Sequence, residues 1–442
     1  MHYALDSRSE PYAPVYNERT AYTTFLIWVF VLGWVTQEFT LFNVGTHSIP
    51  LIYLIAIPFC LRATSQSITF LLLPLISAIM AVVVGALQGS AEPMSILSQS
   101  VLQFLAILFA AGAASMNWRK CLDTLTEATV VIGFPIVAFG GYQMLARMHR
   151  WKYAFLPVTN LQAHAIGDLQ RGWEKDGFSR ASSIFVEPSE FGYYCSWLLL
   201  LGLTATKPRW RMSALILAFT GILFSQSLSA VLAAAVLIVC YVATNGVSIN
   251  VVRQVAIVVL LSVMALLTVA PLMPEAFNKF YERVEQAVTL DSRADSGRVD
   301  HLPENWMMFK EAPVFGTGIA SISSADSSGV DVTTFTYFLM LIERGLVGTC
   351  FFMAPFIWLT WRAFKLPKAD PYRIICVLFG VLNLYTFWVS SMAYTLNYWL
   401  ALAIAASCIL GTYLPSSHFA LREIFLPGDG QAASNDLTAY PR

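Results

Sequence analysis

Apolar residues in this chain come in long runs, and polar residues gather between them. The runs lie near 21–37, 47–61, 66–87, 95–115, 122–146, 190–206, 212–227, 228–243, 251–270, 334–360, 372–393 and 395–413. A helix needs roughly 20 apolar residues to cross a bilayer, and most of these runs approach or reach that length. The pattern therefore predicts an all-α polytopic membrane protein of about twelve transmembrane helices. The second run is the weakest, because Pro50 and Pro58 interrupt a short apolar segment. The stretch 212–243 reads either as one long helix or as two joined near Ser225–Ser229. At a rise of about 1.5 Å per residue, each half barely spans.

Loop charges choose between those readings. Short loops rich in Lys and Arg stay cytoplasmic. Arg62, Arg119 and Lys120, the group Lys207, Arg209 and Arg211, Arg253, and the cluster Arg362–Arg373 fall in alternate loops only if 212–243 crosses twice. The intervening short loops near 38–46, 88–94, 225–229 and 393–395 carry neither Lys nor Arg. Twelve spans with both termini cytoplasmic follow. Two long loops, about 147–189 and 271–333, then face outside. Long loops translocate whatever their charge, so their arginines do not oppose this topology. The layout is a cytoplasmic segment 1–20, a membrane domain 21–413, and a flexible cytoplasmic tail 414–442 rich in Gly, Ser, Asn and Pro.

Composition supports the membrane reading. Only 12% of residues are charged and 57% are hydrophobic, with a mean hydropathy of +0.62; a soluble domain carries about a quarter charged residues. Net charge is zero, which gives no footprint for nucleic acid. Cys60, Cys121, Cys195, Cys240, Cys350, Cys376 and Cys408 all sit in or beside apolar runs, which argues against disulfides. No metal-ligand spacing and no cofactor motif stands out. The N-terminal segment does not resemble a cleaved signal peptide.

Within the second long loop, Phe277, Phe280, Tyr281, Val284 and Val288 recur at helical spacing, as do Leu302, Trp306 and Phe309 until Pro313 stops the pattern. Both segments read as short amphipathic helices. Gly316-Thr-Gly318 then predicts a turn, and the chain re-enters the membrane near Thr334.

The most informative polar stretch runs Arg180-Ala-Ser-Ser-Ile-Phe-Val-Glu-Pro-Ser-Glu-Phe-Gly192. Proline disfavours the α region for the residue before it, so Glu187 is expected to be extended. Pro188 suits a first helical turn. Glu187 is thus expected where an irregular loop turns into a membrane helix. Helix N-termini attract anions. An arginine, a carboxylate and a helix start together point to a charged, hydroxyl-rich ligand.

Three stretches, taken in order, resemble the O-antigen ligase and polymerase superfamily. They are Arg180–Gly192; Gly297-Arg298, Trp306 and Ala312-Pro-Val-Phe-Gly-Thr-Gly318; and Thr334–Gly348, ending Glu343-Arg-Gly-Leu-Val-Gly348. Members are bacterial integral-membrane glycosyltransferases that use undecaprenyl-diphosphate-linked glycans outside the cytoplasmic membrane. Ligases of the family usually carry a histidine eleven residues before the glycine at 345, where this chain has Thr334. That departure, with the Glu-Pro-Ser motif, makes the chain look more like an exopolysaccharide or O-antigen repeat-unit polymerase.

What the resemblance implies is a metal-independent polymerase in the bacterial cytoplasmic (inner) membrane. It would use undecaprenyl-diphosphate-linked oligosaccharide as donor and acceptor, with membrane lipid around it and a chain-length regulator as a further partner. Attack at the anomeric carbon expels a diphosphate, whose charge needs preorganised cations. Arginine's planar fork matches phosphate oxygens, and Arg180 and Arg298 are the candidates. Glu187 is the candidate base for the acceptor hydroxyl. Glu343, Arg344 and His301 are further substrate-binding candidates, because ionisable groups in a span usually face a cavity or a partner and His301 is the nearest external histidine to the absent one.

Each has a structural rival. Glu187 caps a helix; Arg298 pairs with Asp291, Asp295 or Asp300; Glu343 and Arg344 mark a helix break near Gly345; His301 is solvated. Tyr193, Tyr194 and Trp197 read better as core or anchor than as a sugar platform. A ligase of the same family is the alternative enzyme. A lipid-linked glycan transporter or flippase is the alternative from another class.

Overall fold

The structure, a computed structural model, describes residues 16–36, 40–44, 47–89, 91–149, 151–152, 154, 180–185, 187–246, scattered positions between 249 and 285, 302–322, 336–368, 370–389 and 395–413. Thirteen helices have described bounds. The first half of the chain holds α1 (Tyr16–Val35), α2 (Leu51–Cys60), α3 (Ser65–Phe70), α4 (Leu72–Gln88), α5 (Pro93–Ala114) and α6 (Trp118–Met148). Next come α7 (Pro188–Thr204), α8 (Pro208–Ser225) and α9 (Leu228–Asn245). The last are α10 (Leu302–Glu311), α11 (Thr336–Lys365), α12 (Arg373–Val389) and α13 (Leu396–Tyr413).

Local chemistry sets several of these bounds. Helices α5, α7 and α8 all start on proline, whose missing N–H and fixed φ suit the first turn. Helix α4 stops at Gly89, which takes the left-handed conformation at φ 61°. The 212–243 run divides at Gln226, itself left-handed at φ 46°. Serines flank the break: Ser225 Oγ donates to Ile222 O at 2.9 Å and accepts from Ser227 N at 3.3 Å. Such side-chain bonds to nearby backbone compete with helix continuation. The halves pack on different neighbours, α8 on α6 and α7, and α9 on α7 and α12.

Four of these helices, α5, α6, α9 and α11, are long and apolar enough to cross a membrane. The class is helical, with one exception to the all-α expectation. An antiparallel hairpin pairs Thr40–Val44 (β1) with His47–Pro50 (β2). It takes the start of the second apolar run and leaves α2 only ten residues, a rise of about 15 Å. Other boundaries also move. The expected 1–20 segment yields its last residues to α1, because Asn17, Glu18, Arg19 and Thr20 are polar without being helix-breaking. The third run is split at Leu71 into α3 and α4. Most of the run 251–270 and the whole of the tail 414–442 fall outside the described residues.

Long-range bonds sort the helix ends into two sets. At one end, Arg119 before the second turn of α6 reaches Asp370 and Cys408 O, Thr206 meets Asp123, and Thr64 meets Ser115. At the other, the last turns of α6 and α8 meet the loop before α7, and Tyr385 of α12 donates to Ser229 O of α9 at 2.6 Å. Short connectors then put the end of α4 and the start of α5 and α11 with this second set. Helix α7 lies at the centre, buried on every side from Phe191 to Leu203, as a helix apolar all round should be. Trp34 of α1 packs edge-on against Tyr194 and Trp197, at 5.0 Å each, and Trp197 against Phe379 at 4.9 Å. The three aromatics after the Glu-Pro-Ser motif are therefore core.

Candidate functional site

The Arg180–Glu187 stretch is irregular, as its sequence suggests, yet Ala181, Ser182, Ser183 and Phe185 are fully buried. A buried loop must find partners for its own backbone. Gln143 of α6 supplies them: Ser183 N donates to Gln143 Oε1 at 2.7 Å, and Gln143 Nε2 donates back to Ser183 O at 3.0 Å. Ser183 is left-handed at φ 54°, and its hydroxyl donates to Ile136 O at 2.7 Å. Ala181 N donates to Phe224 O of α8 at 3.0 Å. Arg147, in the last turn of α6, donates from Nη1 to Arg180 O and from Nε to Ala154 O. The backbone of Arg180 is thus held by a second arginine, and its half-buried side chain starts from a fixed point.

Glu187 stands where expected. It is extended, at φ −110° and ψ 145°, and precedes Pro188 as the N-cap of α7. Its backbone N donates to Glu190 Oε2 at 3.4 Å, one half of a capping box, and Ser189 Oγ donates to Glu187 Oε2 at 2.7 Å. The capping role weighed against catalysis is therefore real. The side chain remains partly exposed, so one carboxylate can cap and still be reached.

The second polar feature joins the α10–α11 region to α4. Helix α10 ends before Pro313, and the chain turns through Gly316 and Gly318, at φ 77° and 92°. Leu302, Asn305 and Phe309 are its inward positions, and Phe309 packs with Ile322 and Ile342. Trp306 departs from the expected apolar stripe and is 46% exposed; Asn305 takes the inward place. After the turn, Thr317 N donates to Ile342 O at 2.8 Å, Gly318 N to Glu343 O at 3.0 Å, and Ile319 N to Ala81 O of α4 at 2.9 Å.

These bonds meet a break inside α11. Gly345 has φ 63° and ψ −172°, far from helical, and Leu346 N and Val347 N donate to Pro313 O and Val314 O instead of to their own helix. A Cβ on Gly345 would lie 2.3 Å from Val314 O, and one on Gly318 would lie 2.2 Å from Gly85 Cα. Three backbones therefore touch, and only glycine permits it.

Glu343 and Arg344 immediately precede this break, each only 2% exposed. Glu343 Oε1 accepts from Ala320 N at 3.0 Å. Arg344 points the other way, donating to Ser77 Oγ of α4 at 2.8 Å and Gln103 Oε1 of α5 at 2.6 Å, with Phe352 5.1 Å beneath its guanidinium. The break near Gly345 is confirmed, but it does not bring the pair to the surface. Both are turned to protein partners.

Helix alternation brings the Arg180–Glu187 loop and the Pro313–Gly345 junction to the same end of the bundle. Arg298, His301 and Thr334 lie outside the described residues. Among the described residues, no three His, Cys, Asp or Glu side chains form a group that could hold a metal ion. Arg147, Gln143, Ser77 and Gln103 were not singled out from sequence. Gln103, Ser77 and Gln143 carry a usable signal, each being a polar residue inside an apolar run.

Residues 213–353, about a third of the chain, match the family model described as O-antigen ligase. No curated protein and no solved structure matches. The matched span holds the α10–α11 junction and the break at Gly345, and stops short of Arg180 and Glu187. Within a chain of apolar helices, residues 213–353 are thus similar to the O-antigen ligase family.

Proposed function

We propose that the protein is a polysaccharide polymerase of the bacterial inner membrane. It transfers a growing glycan from undecaprenyl diphosphate to a hydroxyl of a lipid-linked repeat unit on the external face. The observation that carries this reading is the shared end of the bundle: the Arg180–Glu187 loop and the glycine-built junction at Gly345 face the same side. The acceptor oxygen attacks the anomeric carbon, the glycosidic C–O bond breaks, and its electron pair leaves with the diphosphate. Glu187 takes the proton of the acceptor hydroxyl. Arg180 and Arg298 bind the diphosphate and stabilise its developing charge. Glu343 and Arg344 serve the same site indirectly, by holding the junction rigid. Twelve spans with both termini cytoplasmic put this end outside, where lipid-linked glycans are assembled.

The description of the matched family favours glycan transfer over transport, and it keeps ligation as the second reading. The test uses purified protein with lipid-linked repeat units. Arg180→Ala and Arg298→Ala should remain inserted while single repeat units accumulate. Long chains made normally by both variants would remove the assignment. Transfer to lipid A core in place of chain growth would establish the ligase.

A further inference from the structure

The end of the bundle opposite Glu187 holds a cavity of about 350 Å³ that the proposed chemistry does not use. Its polar floor carries Arg119 and Lys120 from the first turn of α6 and Arg211 from the first turn of α8. The lining carboxylate, Asp123, is already engaged: Thr206 Oγ1 donates to it, 2.8 and 2.9 Å from its two oxygens. Arg119 is held by Cys408 O at 3.0 Å and Asp370 Oδ2 at 3.4 Å, and lies 4.4 Å over the Tyr372 ring. Its Nε is buried and has no hydrogen-bond partner. Arg211 directs both Nε and Nη2 at one acceptor, Ala205 O, at 3.0 and 2.6 Å. Two guanidinium groups with five donors each are therefore far from saturated. Helices α6, α8 and α12 all begin here, so their positive dipole ends add to the same field.

The walls are apolar. Leu122, Leu203, Ile374 and Ile375 line the cavity beside the cations. A free phosphate would gain nothing from them, whereas an amphiphile would use both surfaces. We propose that this cavity binds a phosphate-bearing anion, and that its source is the headgroup of an anionic phospholipid. Basic pockets between membrane helices suit such headgroups, through charge and through bidentate arginine contacts. The site is separate from the transfer site in position and in ligand, so it stands whether or not the polymerase reading does.

The test uses full-length protein in nanodiscs of phosphatidylcholine, with and without phosphatidylglycerol. Retained lipid is read by mass spectrometry and protection by thermal unfolding. Phosphatidylglycerol should be retained selectively and should raise the melting temperature. Arg211→Gln should weaken retention about fivefold, as the loss of one basic side chain predicts. Arg211 also holds the end of α7 through Ala205 O, so Lys120→Glu, at an exposed position, supplies a second variant that leaves that bond intact. Selective retention that is unchanged in Lys120→Glu and Arg211→Gln would overturn the site. Equal protection of the wild type by millimolar inorganic phosphate in phosphatidylcholine would overturn the lipid source.

Discussion

Arg344 Nη2 donates to Gln103 Oε1 at 2.6 Å across 241 residues of sequence. Both residues are buried, so a cation deep in the bundle is held by a neutral amide and, through Nη1, by the Ser77 hydroxyl. Ser77 Oγ in turn donates to Gly348 O at 2.7 Å. The arrangement ties α4 and α5 to α11 at its break, with Arg344 just before Gly345 and Gly348 just after it. Charged groups inside a bundle of apolar helices usually face a polar partner in this way.

A structural task for Arg344 predicts a stability phenotype. Arg344→Ala removes two hydrogen bonds to a charged group, each worth roughly 1.5–3 kcal/mol, and leaves Gln103 Oε1 buried and unpaired. The expected loss is about 3 kcal/mol or more, read as a lower midpoint of unfolding in detergent. Arg344→Lys should recover only part of it, because a single ammonium lacks the planar fork that meets two acceptors at once. An Arg344→Ala protein with wild-type stability and no activity would instead make Arg344 a substrate group.

Left-handed strain and close approach can be separated by comparing Gly345 of the junction with Gly89, the C-terminal cap of α4. Gly89 has φ 61° with nothing within 4 Å of an added Cβ, whereas Gly345 has φ 63° and Val314 O at 2.3 Å. Gly89→Ala should therefore show only the left-handed penalty, about 1–2 kcal/mol. Gly345→Ala should show that penalty plus the clash, and expression of folded protein should fall sharply. Comparable melting temperatures for the two variants would show that the close approach at Gly345 carries no weight.

Glu187 is both a helix cap and the proposed base, and two substitutions divide these roles. Glu187→Gln keeps an acceptor oxygen near the start of α7, and its stability should stay within about 1 kcal/mol of wild type. Its chain-forming rate should fall about 10²–10⁴-fold, the usual contribution of a positioned base. Glu187→Ala should lose the same activity and about 1 kcal/mol besides. Chain growth by Glu187→Gln at the wild-type rate would leave Glu187 as a cap alone and move the base elsewhere.

How much of this was readable from the chain depends on the range of the interaction. Apolar runs announce helices because every backbone group in lipid must be paired within its own segment. Pro93, Pro188 and Pro208 mark helix starts through local sterics, and the Glu187–Pro188 junction was legible for that reason. Glu343-Arg344-Gly345, set in an apolar run, also announced a break. Their partners were not legible. Ser77 and Gln103 lie 267 and 241 residues from Arg344, and nothing in a run's periodicity pairs one buried polar residue with another. The hairpin of Thr40–Pro50 was missed because its second strand counted as the start of an apolar helix. The face of α10 was misjudged by one position, because a large aromatic at Trp306 outweighed the small amide of Asn305 in any apolar pattern.

In the loop that carries Arg180, both backbone groups of Ser183 depend on one side chain, since Gln143 accepts from Ser183 N and donates to Ser183 O. Gln143→Leu is similar in size and removes both partners at once. Each buried backbone group left unpaired costs about 1–3 kcal/mol, while α6 keeps its own helical bonds. The loss should therefore appear as local opening of residues 180–187 ahead of global unfolding. Hydrogen exchange should speed up at Ser183 in Gln143→Leu and stay unchanged near Arg119 at the far end of α6. Activity should fall with the exchange, because Arg180 and Glu187 are positioned by the same segment. Gln143→Glu keeps the acceptor for Ser183 N and loses only the donor to Ser183 O, so its exchange rate should fall between the two. Faster exchange without loss of activity would separate the loop's order from the chemistry and remove Arg180 from the site.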